Sequence, residues 1–400
     1  MPARNSCRPL RIGIITDGLL ERRVDGQVEI ANGGVGVYIY NLVTHLRAVA
    51  PQHRYVLMRH GAGDLDIYHD HPDDVVLLPA GLSARLARGF EVSHRRLADE
   101  LRLDLLHYPN QFGGAFLAAA IPRVMTLHDI TPLLFPRYHP WSRVVAYRLL
   151  LRRSLRAADH VIVDAAHTGA DLRARGLVRD DRVTIIPLAP AARFRPTEPR
   201  RDFTTRYDLP ERFIFTVGVL EPRKNHALLL EVLRHLHAQG ERIGLVIVGR
   251  DGWRWRNPLA DATAAPLRPW VRLFRNVPDA DLVELYNRAA AFAYPSLYEG
   301  YGLPVVEAMA CGTPVVASTA SSLPEVAGAA ALFADPTDAN DFAAKLLQVL
   351  RDPGLRARLV AAGRQQVRSL SWERTAAQTL DVYERVCRDR CGAIDSGSPL

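Results

Sequence analysis

The stretch Ser296-Leu297-Tyr298-Glu299-Gly300-Tyr301-Gly302-Leu303-Pro304-Val305-Val306-Glu307-Ala308-Met309-Ala310-Cys311-Gly312 carries the clearest chemistry in this chain. One carboxylate, Glu299, stands in a glycine-bearing loop, and a second, Glu307, stands just inside the helix that should follow. Pro304 suits the first helical position, where a missing N–H is no loss. Gly312 suits the position just past the helix, where a left-handed backbone closes it. About two turns of helix fit between them. The helix N-terminus offers N–H groups and the positive end of a dipole, beside glycines that let a ligand approach the backbone. Such a site favours an anion, and acids on either side suit hydroxyl groups. An anion with hydroxyls on both sides is a nucleotide sugar.

Three further segments could act with it. Val217-Gly218-Val219-Leu220-Glu221-Pro222-Arg223-Lys224-Asn225 follows an expected strand and opens an expected helix. Arg223 and Lys224 at that strand's carboxyl end could neutralise a diphosphate leaving group, since cations held where charge develops speed a reaction roughly a thousandfold; a solvated surface pair is the plainer alternative. Leu127-His128-Asp129 ends another expected strand, where His128 could hydrogen-bond a sugar hydroxyl and Asp129 could orient it. Asn32-Gly33-Gly34-Val35-Gly36 precedes a helix expected from near Tyr38, and Gly34 and Gly36 could turn N–H groups toward phosphate. A flexible loop explains those glycines equally well. They do not make a dinucleotide fingerprint, because they stand roughly sixteen residues beyond the first strand and Ile39 replaces the third glycine.

The elements that must position these residues alternate. Apolar runs at Leu10–Thr16, Arg54–Met58, Val75–Leu78, Leu105–Tyr108, Val124–Leu127, Val161–Val163 and Val183–Pro187 read as strands, with helices such as Val37–Val49 and Arg143–Ala157 between. The segment from Ala189 to Phe203 is rich in Pro and Arg and reads as a linker. The pattern then restarts, with strands at Phe213–Val217, Leu245–Val248, Val271–Phe274, Ala291–Tyr294 and Val315–Ala317. Helices are expected over Ala227–Gln239, Asp281–Ala289, Asp341–Arg351 and Gly354–Gln366. Alternating strands and helices predict α/β architecture, here two doubly wound parallel sheets in two Rossmann-like domains. Ligands in such folds sit outside the carboxyl ends of the strands.

At 400 residues two domains are the default. No apolar run approaches the eighteen or so residues that span a bilayer, and the polar segment Met1–Leu10 gives no reason to expect a secretory signal. Cys7, Cys311, Cys387 and Cys391 lack zinc or redox spacing, which fits a cytoplasmic protein. The net charge of +8 comes almost wholly from arginine, Lys224 and Lys345 being the only lysines among 51 basic residues. Two readings of that charge stay open: a genome that favours arginine, or an N-terminal half that meets an anionic membrane or a lipid-diphosphate acceptor through Arg95-Arg96 and Arg148 to Arg156. Nucleic acid is not indicated, because the arginines lack interleaved aromatic residues. Asp64-Leu65-Asp66 and Asp279-Ala280-Asp281 match a metal-binding pair of another transferase fold. The first has no supporting ligands, and for the second a helix-capping role suffices.

Glu299 and Glu307, with the words Glu-Gly-Tyr-Gly-Leu-Pro, Glu-Ala-Met-Ala-Cys-Gly-Thr-Pro and Glu-Pro-Arg-Lys, resemble the retaining glycosyltransferases of family 4, of GT-B fold, over Arg11 to about Val386. The phrase from His128 to Phe135-Pro136 is similar to bacterial mannosyltransferases of polysaccharide assembly. The resemblance implies two domains facing across a cleft, residues 1–190 and 191–370, with a helix near Trp372–Arg388 (371–390) crossing back to the first; by its terminal position, 391–400 is expected to be a disordered tail. It implies that His128, Arg223, Lys224 and Glu299 are catalytic. Gly34, Gly36, Gly218, Arg223, Lys224, Gly249, Val277, Glu299, Gly300, Tyr301, Gly302, Leu303 and Glu307 would bind the donor. In that assignment Glu299 meets the donor sugar, Glu307 the ribose, and N–H groups of Tyr301, Gly302 and Leu303 meet phosphate or sugar oxygens. Asn276-Val277-Pro278 would border the base, and Arg250 after Gly249 would neighbour phosphate or form a plain salt bridge. Many relatives carry arginine where Val219 stands here, and Arg223 could take over that charge.

The expected activity is a retaining, metal-independent hexosyl transfer needing no cofactor. The donor would be GDP-mannose, or UDP-glucose or UDP-N-acetylglucosamine, and the acceptor a soluble or lipid-linked glycan. Peripheral contact with the inner face of the cell membrane would go with the last. A glycoside hydrolase is excluded, because its carboxylates must flank the scissile bond. A hydrolysing UDP-sugar 2-epimerase, a non-catalytic scaffold and a nicotinamide dehydrogenase are weaker alternatives.

Overall fold

Continuous runs of Val, Ile, Leu and Phe become strands buried on both faces, as parallel sheets require. The structure is a computed structural model and describes residues 8–17, 21–24, 27–30, 33–60, 75–78, 98–110 and 121–395. The described chain forms two units, the first comprising Met1–Ile130, Val145–Pro187 and Trp372–Leu400, the second Thr131–Val144 and Leu188–Ser371. The first holds β1 (Arg11–Ile15), β2 (Glu21–Val24), β3 (Gln27–Ile30), β4 (Arg54–His60), β5 (Val75–Leu78), β6 (Leu105–Tyr108), β7 (Arg123–Leu127), β8 (His160–Val163) and β9 (Val183–Ile185). Seven of these form one sheet in the order β5-β4-β1-β6-β7-β8-β9, all pairs parallel. The second holds β10 (Phe213–Val217), β11 (Gly244–Val248), β12 (Val271–Phe274), β13 (Ala291–Tyr294), β14 (Val315–Ser318) and β15 (Ala331–Ala334). Their order is β12-β11-β10-β13-β14-β15, again parallel throughout. Both expected doubly wound sheets are therefore present. Strand order reverses between β1 and β6 in one sheet and between β10 and β13 in the other.

Alternation along the strands of the second sheet builds a core on each face. Phe213, Phe215, Val246, Val248, Phe292 and Tyr294 enter one cluster, whereas Ile214, Leu245, Ile247, Ala291 and Ala293 enter the other. Beyond the strands, the ends of β10 and β11 stay zipped: Gly218 N donates to Val248 O at 2.9 Å and Leu220 N to Arg250 O at 2.8 Å. At this approach a Cβ on Gly249 would lie 1.9 Å from the Gly218 carbonyl oxygen. Gly249→Ala is therefore expected to destabilise the second unit by about 1–3 kcal/mol or more, seen as a lowered melting temperature; an unchanged one would contradict the close approach.

In the first unit, helix Gly33–Val49 packs on the final helix, Trp372–Asp395. Trp372, Leu380 and Tyr383 are buried there. A hydrogen-bonded chain runs through this core from Tyr38 OH to Thr126 Oγ1 (2.9 Å), on to His107 Nε2 (2.9 Å), and from His107 Nδ1 to Tyr383 OH (2.6 Å). Burial pushes His107 down to about 3, so its ring is neutral and can donate through one nitrogen and accept through the other.

Several expectations need correction. The first helix begins at Gly33, not near Tyr38, so Gly34 and Gly36 form its opening turn rather than a loop. The antiparallel pair β2–β3 was not anticipated, although Asp25-Gly26 between them is a strong hairpin dipeptide. The final helix continues to Asp395, past the expected end at Arg388 and into the segment 391–400 expected to be a disordered tail. Thr131–Val144 groups with the second unit rather than with the first 190 residues. Aromatic contacts explain this: the rings of Phe135 and Tyr298 lie 5.8 Å apart and those of His139 and Trp253 5.5 Å apart. Asp281 does not cap the helix Asp279–Arg288, which opens after Pro278 without a side-chain cap. It is buried and bound by Arg200 Nη2 at 2.5 Å and by Tyr207 OH, while Arg193 meets Asp279 at 2.8 Å. These acids fasten the linker to the second unit. Asn32, Asp64, Asp66, Arg95, Arg96 and residues 396–400 lie outside the described residues.

Candidate active site

The segments that leave β10 and β13 meet at the point where the second sheet's strand order reverses, the place where doubly wound sheets bind ligands. After β10 the chain makes a short helical turn, Pro222–Lys224, and enters helix His226–Ala238 through Asn225 in a left-handed conformation (φ 58°). The Asn225 amide donates to Pro295 O (3.2 Å) and Pro336 O (2.7 Å), and Leu297 N donates to Arg223 O (2.9 Å). Asn225 thereby ties the two segments together.

The tie brings Glu299 between the two cations. Its Oε1 accepts from Lys224 Nζ at 2.7 Å, and its Oε2 lies 3.1 Å from Arg223 Nη1. Arg223 also donates to Glu221 Oε1 and to Tyr298 O, both at 2.5 Å. Lys224 donates further to Tyr294 OH at 2.9 Å. Glu299 and Glu221 are buried. Burial alone would raise the Glu299 carboxyl, but Lys224 and Arg223 outweigh it and hold the group down to about 2. Glu299 is thus an anion, and its partners are cations held in fixed positions. An ammonium has three donors, of which Glu299 and Tyr294 take two, leaving one for an oxygen of a ligand.

The loop beyond Glu299 is shaped as anticipated, with one shift. Helix Leu303–Cys311 opens after Gly302 at φ 102° and ends at Gly312 at φ 79°, with Pro304 second rather than first. A Cβ on Gly302 would lie 2.6 Å from Leu323 Cδ2. Ser321 Oγ accepts from Glu299 N (2.7 Å), and Ser322 Oγ donates to Glu299 O (3.0 Å) and Tyr301 O (2.9 Å). Tyr301 OH donates to Leu188 O at 2.7 Å, so its ring serves the fold and only its backbone faces the loop.

Glu307 stands apart from the cations, on the helix, where it accepts from Tyr286 OH at 2.9 Å. Burial pushes its carboxyl up to about 7, against the hydrogen bond from Tyr286 and the charge of Arg193. The two acids therefore have opposite electrostatics, one ionised well into acid and one poised near neutrality. Val277 is buried in the core, leaving its backbone as the part that could border a ligand. Arg250 is exposed and makes no ion pair among the described residues, which removes the plain salt bridge.

His128 belongs to the first unit, directly after β7. Its Nδ1 lies 2.6 Å from Asp164 Oδ2 and its Nε2 3.2 Å from Pro109 O. Asp164 directly follows β8 and is buried, so this acid orients His128, rather than Asp129 as its position in sequence suggested. Both ring nitrogens face acceptors, an arrangement that only an imidazolium satisfies with two hydrogens. Burial opposes that charge, yet Asp164 prevails and raises the group above 6.5. The Tyr38 ring packs edge-on at 4.8 Å and links His128 to the helix opened by Gly34 and Gly36. Among the described residues, nothing lies within 4 Å of where a Gly34 Cβ would project.

Sequence reasoning singled out Arg223, Lys224, Glu299 and His128 but missed Asp164, Tyr286, Tyr294, Ser321 and Ser322. Glu221 stood inside a quoted motif without a role. Tyr294 and Asp164 each lie at or just past a strand's carboxyl end, which is the one signal that could have found them.

Comparison with known proteins accords with this geometry. A family model described as Glycosyltransferase Family 4 matches residues 32–189, and one described as Glycosyl transferases group 1 matches residues 199–366. The chain is 33% identical over 366 residues to the O-antigen chain mannosyltransferase B of Escherichia coli, covering 88% of this chain and 96% of that one. It is 29% identical to the serotype-specific mannosyltransferase WbdA of Escherichia coli over 68% of this chain and 34% of that protein. Among solved structures, HepE of Anabaena in complex with UDP-glucose superposes with a TM-score of 0.74 at 18% identity, covering 94% of this chain and 100% of that one. Sucrose-phosphate synthase of Thermosynechococcus elongatus superposes with a TM-score of 0.73 at 21% identity, covering 94% and 99%. With paired parallel sheets, family models over both halves and a full-length relative, the chain belongs to glycosyltransferase family 4 and is a glycosyltransferase of GT-B fold.

Proposed function

We propose that the chain moves mannose from GDP-mannose to a hydroxyl of a glycan, lipid-linked or soluble, with retention of anomeric configuration and without a metal. The reading rests above all on Lys224 and Arg223 gathered around Glu299 at the point of strand reversal. Mannose is favoured over the UDP-linked alternatives by the full-length similarity to the O-antigen mannosyltransferase. In the reaction the acceptor oxygen bonds the anomeric carbon as the bond from that carbon to the β-phosphate oxygen breaks. The departing phosphate oxygen takes the acceptor's proton, and the remaining Lys224 N–H and the Arg223 charge stabilise the diphosphate. These cations supply the charge a metal would otherwise bring. His128 meets the donor by exchanging its longer bond, Nε2 to Pro109 O, for a donor oxygen. Peripheral contact with the inner membrane face accompanies a lipid-linked acceptor.

Glu307 is assigned to the ribose hydroxyls. Glu307→Ala is expected to weaken every nucleotide sugar roughly ten- to hundredfold, read by calorimetry with GDP-, UDP- and ADP-sugars; equal affinities in parent and variant would remove the assignment. Its pH signature has a definite sign. With the folded group raised to about 7, charging it costs stability progressively as pH rises from 4.5 to 7. That slope in the melting temperature should be absent in Glu307→Gln. Incubation of GDP-mannose with and without glycan acceptor tests the reaction itself. Free epimerised sugar formed without acceptor would defeat the transferase mechanism.

A further inference from the structure

Three of the four large apolar side chains left exposed among the described residues stand on one helix, Trp141–Ala157. They are Trp141 (75% exposed), Val145 and Leu149 (66% exposed), the fourth being Ile185 elsewhere. Steps of four place these three along one solvent-facing line, while Val144, Tyr147, Leu151 and Leu155 occupy the buried side. The same outer face continues with exposed Arg148, Arg152, Arg153 and Arg156. The helix contains no acid, and none of these four arginines forms an ion pair among the described residues. A helix surface that merely faces water usually interleaves both signs. Here like charges sit four residues apart and repel. Large apolar groups and uncompensated cations therefore share a strip about 22 Å long.

We infer that this strip binds the surface of an anionic phospholipid bilayer, lying in the plane of the interface. Its arginines would meet headgroup phosphates while Trp141, Val145 and Leu149 enter the boundary with the acyl chains. The alternatives fit less well. Nucleic acid would engage the arginines but leave Val145 and Leu149 in water. A second copy of this chain, with net charge +8, would bring arginines against arginines. No helix among the described residues is long and apolar enough to cross a membrane, so contact here is at the surface. The use of this contact, delivery to a lipid-linked acceptor, rests on the proposed function; the binding itself does not.

The experiment is co-sedimentation of the full chain with vesicles of phosphatidylcholine alone and of phosphatidylcholine mixed with phosphatidylglycerol, without donor or acceptor. Binding to the mixed vesicles only is expected, and added salt should release it. Each change among Arg148→Gln, Arg152→Gln and Arg156→Gln should lower the partition about fivefold, and Leu149→Glu should abolish it. Circular dichroism and stabilisation by nucleotide sugar should match the parent in every variant, since these side chains lie on the surface. Equal binding to both vesicles, no binding, or variants that bind like the parent would overturn the inference. So would tighter binding to RNA than to vesicles, or a dimer that Leu149→Glu dissolves. Because nucleotide-sugar stabilisation is read on the same samples, loss of the transferase reading and loss of this one leave different records.

Discussion

A Lys224→Ala protein should bind its nucleotide sugar nearly as the parent does and turn over roughly a thousandfold more slowly. Lys224 offers one ammonium N–H beyond those used by Glu299 and Tyr294, and that hydrogen gains most when the diphosphate acquires charge in the transition state. An interaction made only there lowers kcat and kcat/KM together and leaves KM alone. Removal of the cation also leaves Glu299 with Arg223 as its remaining cation. Its carboxyl should then rise from about 2 toward the ordinary 4.5. In the parent, the stability owed to this depressed group is present above 4.5 and lost as pH falls toward 2. The variant should show a smaller loss over that window. Steady-state kinetics beside acid-unfolding curves checks both statements. Unchanged kcat in a folded variant would remove Lys224 from the leaving-group site.

Asp164→Asn is expected to lower the pKa of His128, so that its ring loses its positive charge at a lower pH than in the parent. Burial is the largest influence on that ring and lowers its pKa; the aspartate charge and hydrogen bond at 2.6 Å reverse the direction. An asparagine retains shape without charge, so the ring should titrate below 6.5 rather than above it. Nitrogen-detected NMR of the imidazole reads this without substrate. If the donor meets the cationic ring, turnover should fall roughly a hundredfold. The activity lost as pH rises through the parent's raised pKa should then be lost at lower pH in the variant. A His128 that titrates identically in both proteins would show that Asp164 does not set its charge.

Both predictions depend on partners distant in sequence, and that is where the reading of the chain stopped. Two parallel α/β sheets were legible because buried strands are written as unbroken apolar runs and the intervening helices repeat at their own period. The short β15 and the pair β2–β3 escaped, being brief segments with little periodicity. Glu299, Glu307 and the closing Gly312 of the helix that carries Glu307 were legible for a local reason. A left-handed backbone selects glycine, and the group exposed at a helix start depends on adjacent residues. What tertiary structure alone decided is which charges meet. Lys224 finds Glu299 across 75 residues, His128 finds Asp164 across 36, and Tyr286 finds Glu307 across 21. Periodicity records which side of an element is buried, but not which neighbouring strand end lies beside it. Strand order decides that. It sets β13 beside β10 and β8 beside β7, so an acid and a base become partners through the sheet rather than through the chain.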